Sequence, residues 1–167
     1  MERAYMAGKV KALGLSNFPE ALVQSIIDAC RVNPQILQVE AHPYYPQSKL
    51  KAYLFKYDIK LMAWYPLGHG DKSLVNEAVF TRLAQKYNKT NAQVILRWHV
   101  QSGSVVIPGS KNPAHIAVNL DIFDFALTDD EMKEIAALDK NTRYYNMSLE
   151  DAAKTYLNIR PDFNDQE

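Results

Sequence analysis

The stretch Gly8-Lys9-Val10-Lys11-Ala12-Leu13-Gly14-Leu15-Ser16-Asn17-Phe18 decides how the rest of the chain is read. Lys9 to Leu15 has the composition of a short strand. Its C-terminal end delivers two small polar residues, Ser16 and Asn17, into a turn, and a helical pattern follows. In α/β sheets and barrels, functional groups collect where strands end and loops begin.

Outward from that strand the pattern alternates. Pro19 to Val32 is helical, with Leu22, Ile26 and Ala29 at helical spacing and Val23, Ile27 and Cys30 beside them. Ile36 to Ala41 reads as a second strand, Ser48 to Tyr57 as a helix and Ile59 to Trp64 as a third strand. Ser73 to Tyr87 and Asn91 to Gln101 are helical, Val105 to Ile107 is a short fourth strand, and Pro113 to Asn119 and Thr128 to Leu138 are helices. Thr128 with Glu131 forms a capping box, because hydroxyl and carboxylate can satisfy free N–H groups of the first turn. Strands alternating with helices imply a parallel sheet of about four β/α units with right-handed crossovers. The tail, residues 141–167, is expected to wrap a surface and fray at Pro161 to Glu167.

The bulk numbers exclude several classes. The 167 residues suffice for one domain, and 47% hydrophobic with 23% charged residues is an ordinary globular balance. The formal net charge is zero, so no basic surface for nucleic acid is expected. No apolar run approaches the roughly 20 residues that span a bilayer, and the first residues lack the apolar core of a signal peptide, so the expected setting is cytoplasmic. The single cysteine, Cys30, reads as a small residue on a buried helix face. The four histidines (His42, His69, His99 and His115) show no metal-ligand spacing, and no metal site is expected. Trp98 and His99 read as residues of a helix that packs on the sheet, and His42 before Pro43 as a packing histidine. No Gly-x-Gly-x-x-Gly and no Gly-x-Ser-x-Gly occurs.

Each strand end carries specific chemistry. The first gives Ser16 and Asn17, the second Gln38 and Glu40 and then Ala41-His42-Pro43-Tyr44. The third gives Ala63-Trp64-Tyr65-Pro66-Leu67-Gly68, and the fourth Ile107-Pro108-Gly109-Ser110-Lys111. A hydroxyl, two carboxamides and a flat aromatic face suit a planar heteroaromatic amide. The glycine-containing loops and the helix after the fourth strand suit a phosphate.

Together, in this order, these segments resemble the aldo-keto reductase family over nearly the whole chain, in particular bacterial 2,5-diketo-gluconate reductase-like members. The resemblance is carried by GKVKALGLSNF (8–18), LQVEAHPYYPQ (37–47), AWYPLG (63–68), VVIPGSKNPAHIAVNLDIFDFALTDDEM (105–132) and Arg143-Tyr144-Tyr145. It implies the C-terminal half, strands five to eight, of a (β/α)8 TIM barrel, as a single truncated domain over residues 1–167. It implies NAD(P)-dependent reduction of a carbonyl to an alcohol, with NADP or NAD as cofactor. By resemblance, Ser16, Asn17 and Gln38 would hold the nicotinamide carboxamide and Trp64 would stack on its ring. Leu67 and Gly68, with His69 and Gly70 after them, would line the pyrophosphate. Ser110, Lys111, His115 and Asn119 would face the adenosine end. NADP-preferring members usually carry Ile-Pro-Lys-Ser and then an Arg, where this chain has Gly109 and His115, so weak discrimination between NAD and NADP is expected.

The family's catalytic Asp, Tyr, Lys and His come from segments before the strand that Gly8–Phe18 resembles, and no residue here matches any of them. Tyr44, Tyr45, Tyr65 and Lys111 match other family positions, so no catalytic residue is assigned. Met1 to Gly8 resembles the last turns of a helix, as in a truncated gene, an internal start or a fragment. Two readings stand side by side. One is a reductase half that needs the missing half to turn over a small aldehyde or ketone. The other is a catalytically silent half barrel that dimerises or only binds nucleotide. Its outer strands would expose unpaired backbone, which favours self-association.

Overall fold

Alternating apolar residues build the sheet, and helices of 3.6-residue period cover one of its faces. The computed structural model describes residues 1–159. The elements are α1 (Glu2–Met6), β1 (Gly14–Ser16), α2 (Glu20–Ala29), β2 (Ile36–Glu40), α3 (Ser48–Phe55) and β3 (Lys60–Trp64), then a 3₁₀ turn (Gly68–Gly70). They continue with α4 (Lys72–Val75), α5 (Ala78–Tyr87), α6 (Asn91–Gln101), β4 (Val105–Val106), α7 (Pro113–Leu120), α8 (Asp129–Ala136) and α9 (Leu149–Tyr156). The four strands form one sheet in the order β1-β2-β3-β4, and every pair is parallel. This is the α/β architecture that the strand–helix alternation predicts.

Register divides the sheet into two faces. Leu37, Val39, Leu61 and Ala63 are buried against Val23 of α2 and Tyr53 and Leu54 of α3, with Leu15 and Val106 packed alongside. Ser16, Gln38, Met62 and Val105 run in one row on the opposite face, because each is the Cα partner of the next. That face is open at β4, where Val105 is 37% and Ile107 43% exposed. A second core joins the helices, with Leu74, Phe80, Leu83, Ile95, Trp98 and Ile135 buried around Tyr44. Each fully buried aliphatic or aromatic side chain in these two cores contributes about 1.5–3 kcal/mol relative to an exposed one.

Several element boundaries differ from the sequence reading. β1 spans three residues rather than Lys9 to Leu15, and only Gly14 to Ser16 pair with β2. α2 stops at Ala29, so Cys30 is its C-cap rather than a residue of its face. The Cys30 thiol lies 3.6 Å from Ile27 O. α2 buries Val23 and packs Ile27 on the sheet, whereas Leu22 is 41% exposed and Ala29 is also exposed. The packed stripe is thus rotated by about one residue from the Leu22–Ile26–Ala29 line. Residues 73–87 form two helices, α4 and α5, broken at Asn76 and Glu77. The break lets the Glu77 carboxylate accept from Tyr44 Oη at 2.5 Å. Trp98 joins the helical core rather than the sheet core. The Thr128–Glu131 capping box is present as read, and a second one, Thr90–Gln93, opens α6. The tail carries a helix, α9, that the sequence reading lacks, while Pro161 to Glu167 lie outside the described residues.

Candidate functional site

Parallel strands place their C-terminal ends at one rim, and that rim collects Ser16, Gln38 and Trp64. Ser16 and Gln38 are register partners, and Trp64, the last residue of β3, is the partner of Glu40. Asn17 follows β1 in the left-handed region (φ 60°) while its N–H still donates to Gln38 O at 2.8 Å. That conformation turns the Asn17 carboxamide across the strand ends, where its Oδ1 accepts from Trp64 Nε1 at 2.9 Å. The Gln38 Nε2 amide makes a weaker bond to the Met62 thioether at 3.5 Å. Four of the expected residues, Ser16, Asn17, Gln38 and Trp64, are therefore brought together.

The loop after β3 is bent by two side-chain-bearing residues at positive φ, Tyr65 (54°) and His69 (53°), whose rings stack at 4.1 Å. Non-glycine residues in this region store strain and cluster at ligand sites. Gly68 (φ +71°) is buried, and a Cβ there would lie 2.3 Å from Leu74 Cδ2 and 3.3 Å from Tyr144 Oη. Only glycine fits that crossing. Leu67 is half-buried beside it. Asp71 closes the turn. Its Oδ1 accepts from the Ser73 N–H at 2.7 Å and its Oδ2 from Tyr144 Oη at 2.6 Å. The Tyr144 and Ser73 bonds hold the Asp71 carboxyl down at about 2, and burial with the Asp71 contact raises the Tyr144 phenol.

The remaining expected residues follow β4. The Ser110 hydroxyl accepts from Asn112 N at 3.0 Å, and Asn112 Oδ1 caps α7 by accepting from Ala114 N at 2.9 Å. Lys111 and His115 are exposed and Asn119 is half-buried. The first turn of α7 is thus already served by Asn112, a cap the sequence reading did not single out.

Two of the four histidines, His42 and His99, behave as packing groups. His99 is 1% exposed, with Nε2 3.2 Å from Pro66 O, and burial lowers it to about 3. His42 is fully buried, and burial lowers it against the opposing pull of Glu40, whose Oε1 lies 3.1 Å from Nε2.

Glu40 is the residue whose role sequence reasoning missed. It ends β2 with a side chain 0% exposed, and it binds the tail. Its Oε1 accepts from Tyr144 N at 2.6 Å and its Oε2 from Tyr145 N at 3.1 Å. The Tyr145 ring then meets Trp64 edge-on, with centroids 5.6 Å apart. The one sequence signal was an acidic residue closing the alternating strand pattern Leu37-Gln38-Val39. The tail also walls a cleft of about 1030 Å³ that includes Ser16, Asn17, Glu40 and Arg143. Among the described residues no group of three His, Cys, Asp or Glu side chains is placed to hold a metal ion, and no helix is long and apolar enough to cross a membrane.

The profile of the Aldo/keto reductase family matches residues 1–140. The chain is 42% identical over 160 residues to aldo-keto reductase family 1 member D1 of Mus musculus, covering 89% of this chain and 49% of that protein. It is 43% identical over 136 residues to methylglyoxal reductase DkgA of Escherichia coli (strain K12), covering 81% of this chain and 50% of that protein. It therefore spans about half the length of these curated relatives. Among solved structures, an aldo-keto reductase enzyme from a Medee basin deep-sea metagenome library superposes with TM-score 0.83 at 34% identity, covering 87% of this chain and 54% of that one. A Bombyx mori aldo-keto reductase in complex with NADP gives TM-score 0.82 at 31% identity, covering 93% and 52%.

Proposed function

The chain belongs to the aldo/keto reductase family, and from that premise we propose that it is the cofactor-holding part of an NAD(P)-dependent carbonyl reductase. The observation that carries this reading is the bond from Trp64 Nε1 to Asn17 Oδ1, made beside the Ser16–Gln38 register pair. It fixes a flat aromatic face next to two carboxamides and a hydroxyl, a donor and acceptor set complementary to a ring that bears an amide. Ser16, Asn17 and Gln38 would hold the carboxamide, and Trp64 would hold the ring face. Leu67 and Gly68 would border the diphosphate, and Ser110, Lys111, His115 and Asn119 the adenosine end. A bound dihydronicotinamide supplies a hydride for carbonyl reduction. Support for this cofactor comes from the Bombyx mori neighbour, solved with NADP.

In this reading the chain contributes binding and orientation rather than proton transfer. General acid catalysis needs a positioned donor whose pKa is tuned to the task. Burial, and then the bond its Oη donates to Asp71, raise the Tyr144 phenol, which makes it a weaker acid with its proton already committed. The residue set of the family's proton donor would come from sequence other than these 167 residues. The test is a titration with NADPH and NADH followed by turnover with an aromatic aldehyde. Binding without turnover above background is the expected result, and aldehyde reduction at an ordinary enzymatic rate overturns the division of labour.

A second reading rests on the open strand edges. β1 and β4 end the sheet, and Val105 and Ile107 are exposed at one of them. Unpaired parallel edges with apolar residues favour pairing with another chain. Sedimentation distinguishes the readings: self-association follows from the second, and a stable, monodisperse monomer contradicts it.

A further inference from the structure

One buried acidic side chain, Glu40, has no part in holding the cofactor. Glu40 is completely enclosed at the end of β2, where an unpaired carboxylate would be strongly unfavourable. Its oxygens are satisfied by a specific set of donors. Tyr144 N and Tyr145 N come from residues 104 and 105 positions away, and His42 Nε2 from the same strand end. Arg143 Nε stands 3.9 Å from Oε2. A carboxylate that accepts two successive backbone N–H groups holds that backbone in one conformation, and such charge-assisted bonds are about twice as strong as neutral ones.

The conformation held is one that touches the candidate site. Tyr145 is set edge-on against Trp64 at 5.6 Å, on the residue whose Nε1 bonds Asn17. Tyr144 has its own anchor, the bond from Oη to Asp71. We propose that Glu40 is a positioning residue for the nicotinamide end of the site: by clamping the Tyr144 and Tyr145 amides it seats the Tyr145 ring against Trp64 and so fixes the orientation of the indole face. The inference rests on the cofactor reading and deepens it. Tertiary contact across more than 100 residues then joins the Asn17 bond and the edge-on Tyr65 ring, 4.5 Å away, in setting where that face lies.

The test uses the full chain carrying Trp98→Phe, so that Trp64 is the only indole. Glu40→Gln keeps the size of the side chain but turns one acceptor oxygen into an NH₂ facing a backbone N–H. Glu40→Asp, which keeps the charge but withdraws it by one methylene, serves if the first variant does not fold. Tyr145→Ala approaches the same contact from the other side. The Trp64 emission is expected to shift to longer wavelength in all three, and the Tyr144 and Tyr145 amides to exchange at least tenfold faster in the Glu40 variants. NADPH is expected to bind about tenfold more weakly to each, while 2′-phospho-ADP-ribose, which lacks the nicotinamide, changes less than twofold. Unchanged emission and exchange in a folded Glu40 variant overturns the proposal. Equal loss of both ligands also overturns it, since that is the mark of a merely structural residue. If the parent chain binds neither ligand, the cofactor reading fails on its own, and emission and exchange still decide whether Glu40 seats Tyr145 on Trp64.

Discussion

Tyr144 Oη donates to Asp71 Oδ2 at 2.6 Å, and this bond ties the tail of the chain to the turn that follows β3. The Asp71 carboxyl is held at about 2, below its ordinary 3.8, by Tyr144 first and then by the Ser73 hydroxyl and N–H. A depressed carboxyl contributes stability that is present above its unfolded value and is lost as the pH falls through the folded one. The bond's contribution is therefore expected to disappear between about pH 4 and pH 2. Tyr144→Phe should cost about 1 kcal/mol at pH 7 and flatten this part of the acid limb. Denaturant melts of both proteins across that range check it.

Glu131 of α8 carries a similar prediction. It is 7% exposed and, despite the opposing effect of burial, is held down at about 2 by Lys86, Tyr87 and its own capping box with Thr128. Glu131→Gln removes the charge from that network. A loss of about 1–2 kcal/mol at pH 7 is expected. The difference should fade as the pH falls from about 4.5 toward 2, where the parent carboxyl is itself protonated. Thermal or urea unfolding at the two ends of that window measures it.

Phe80 is fully buried in the helical core with Leu83, Ile95 and Ile135. Phe80→Ala leaves a cavity that the surrounding helices fill only in part, so a loss of about 3–5 kcal/mol is expected. A calorimetric scan should show the midpoint fall sharply. An unchanged midpoint would mean that α5 does not pack as described.

The strand–helix alternation was legible in the sequence because it follows from periods of two and 3.6, which are local. The grouping of Ser16, Asn17, Gln38 and Trp64 was legible for the same reason, since each lies at, just past or within two residues of a strand end. What stayed hidden is non-local. Glu40 looks like any acidic residue at the end of a strand until Tyr144 and Tyr145 arrive from the far end of the chain. The break between α4 and α5 was hidden too, because it depends on Glu77 meeting Tyr44 rather than on a proline or glycine. β1 was overestimated because Lys9 to Leu13 are extended-compatible residues with no strand partner for most of their length.

The prediction for cofactor choice rests on two positions after β4. Gly109 has open space where a Cβ would lie, and His115 is exposed. Gly109→Lys and His115→Arg should therefore be accepted without loss of stability. Each adds a cation suited to a 2′-phosphate, and Arg does so with a bidentate fork. The unmodified chain is expected to separate NADPH from NADH by less than tenfold. The double variant should favour NADPH by about a hundredfold, or about 2.7 kcal/mol. Paired titrations of both proteins check it.

Whether the rim built on Trp64 and Asn17 holds a nicotinamide cofactor is decided by calorimetric titration of the chain with NADPH, beside Trp64→Ala. Saturable one-to-one binding by the parent chain and at least tenfold weaker binding by the variant are expected. No saturable binding, or binding that Trp64→Ala leaves unchanged, would contradict it.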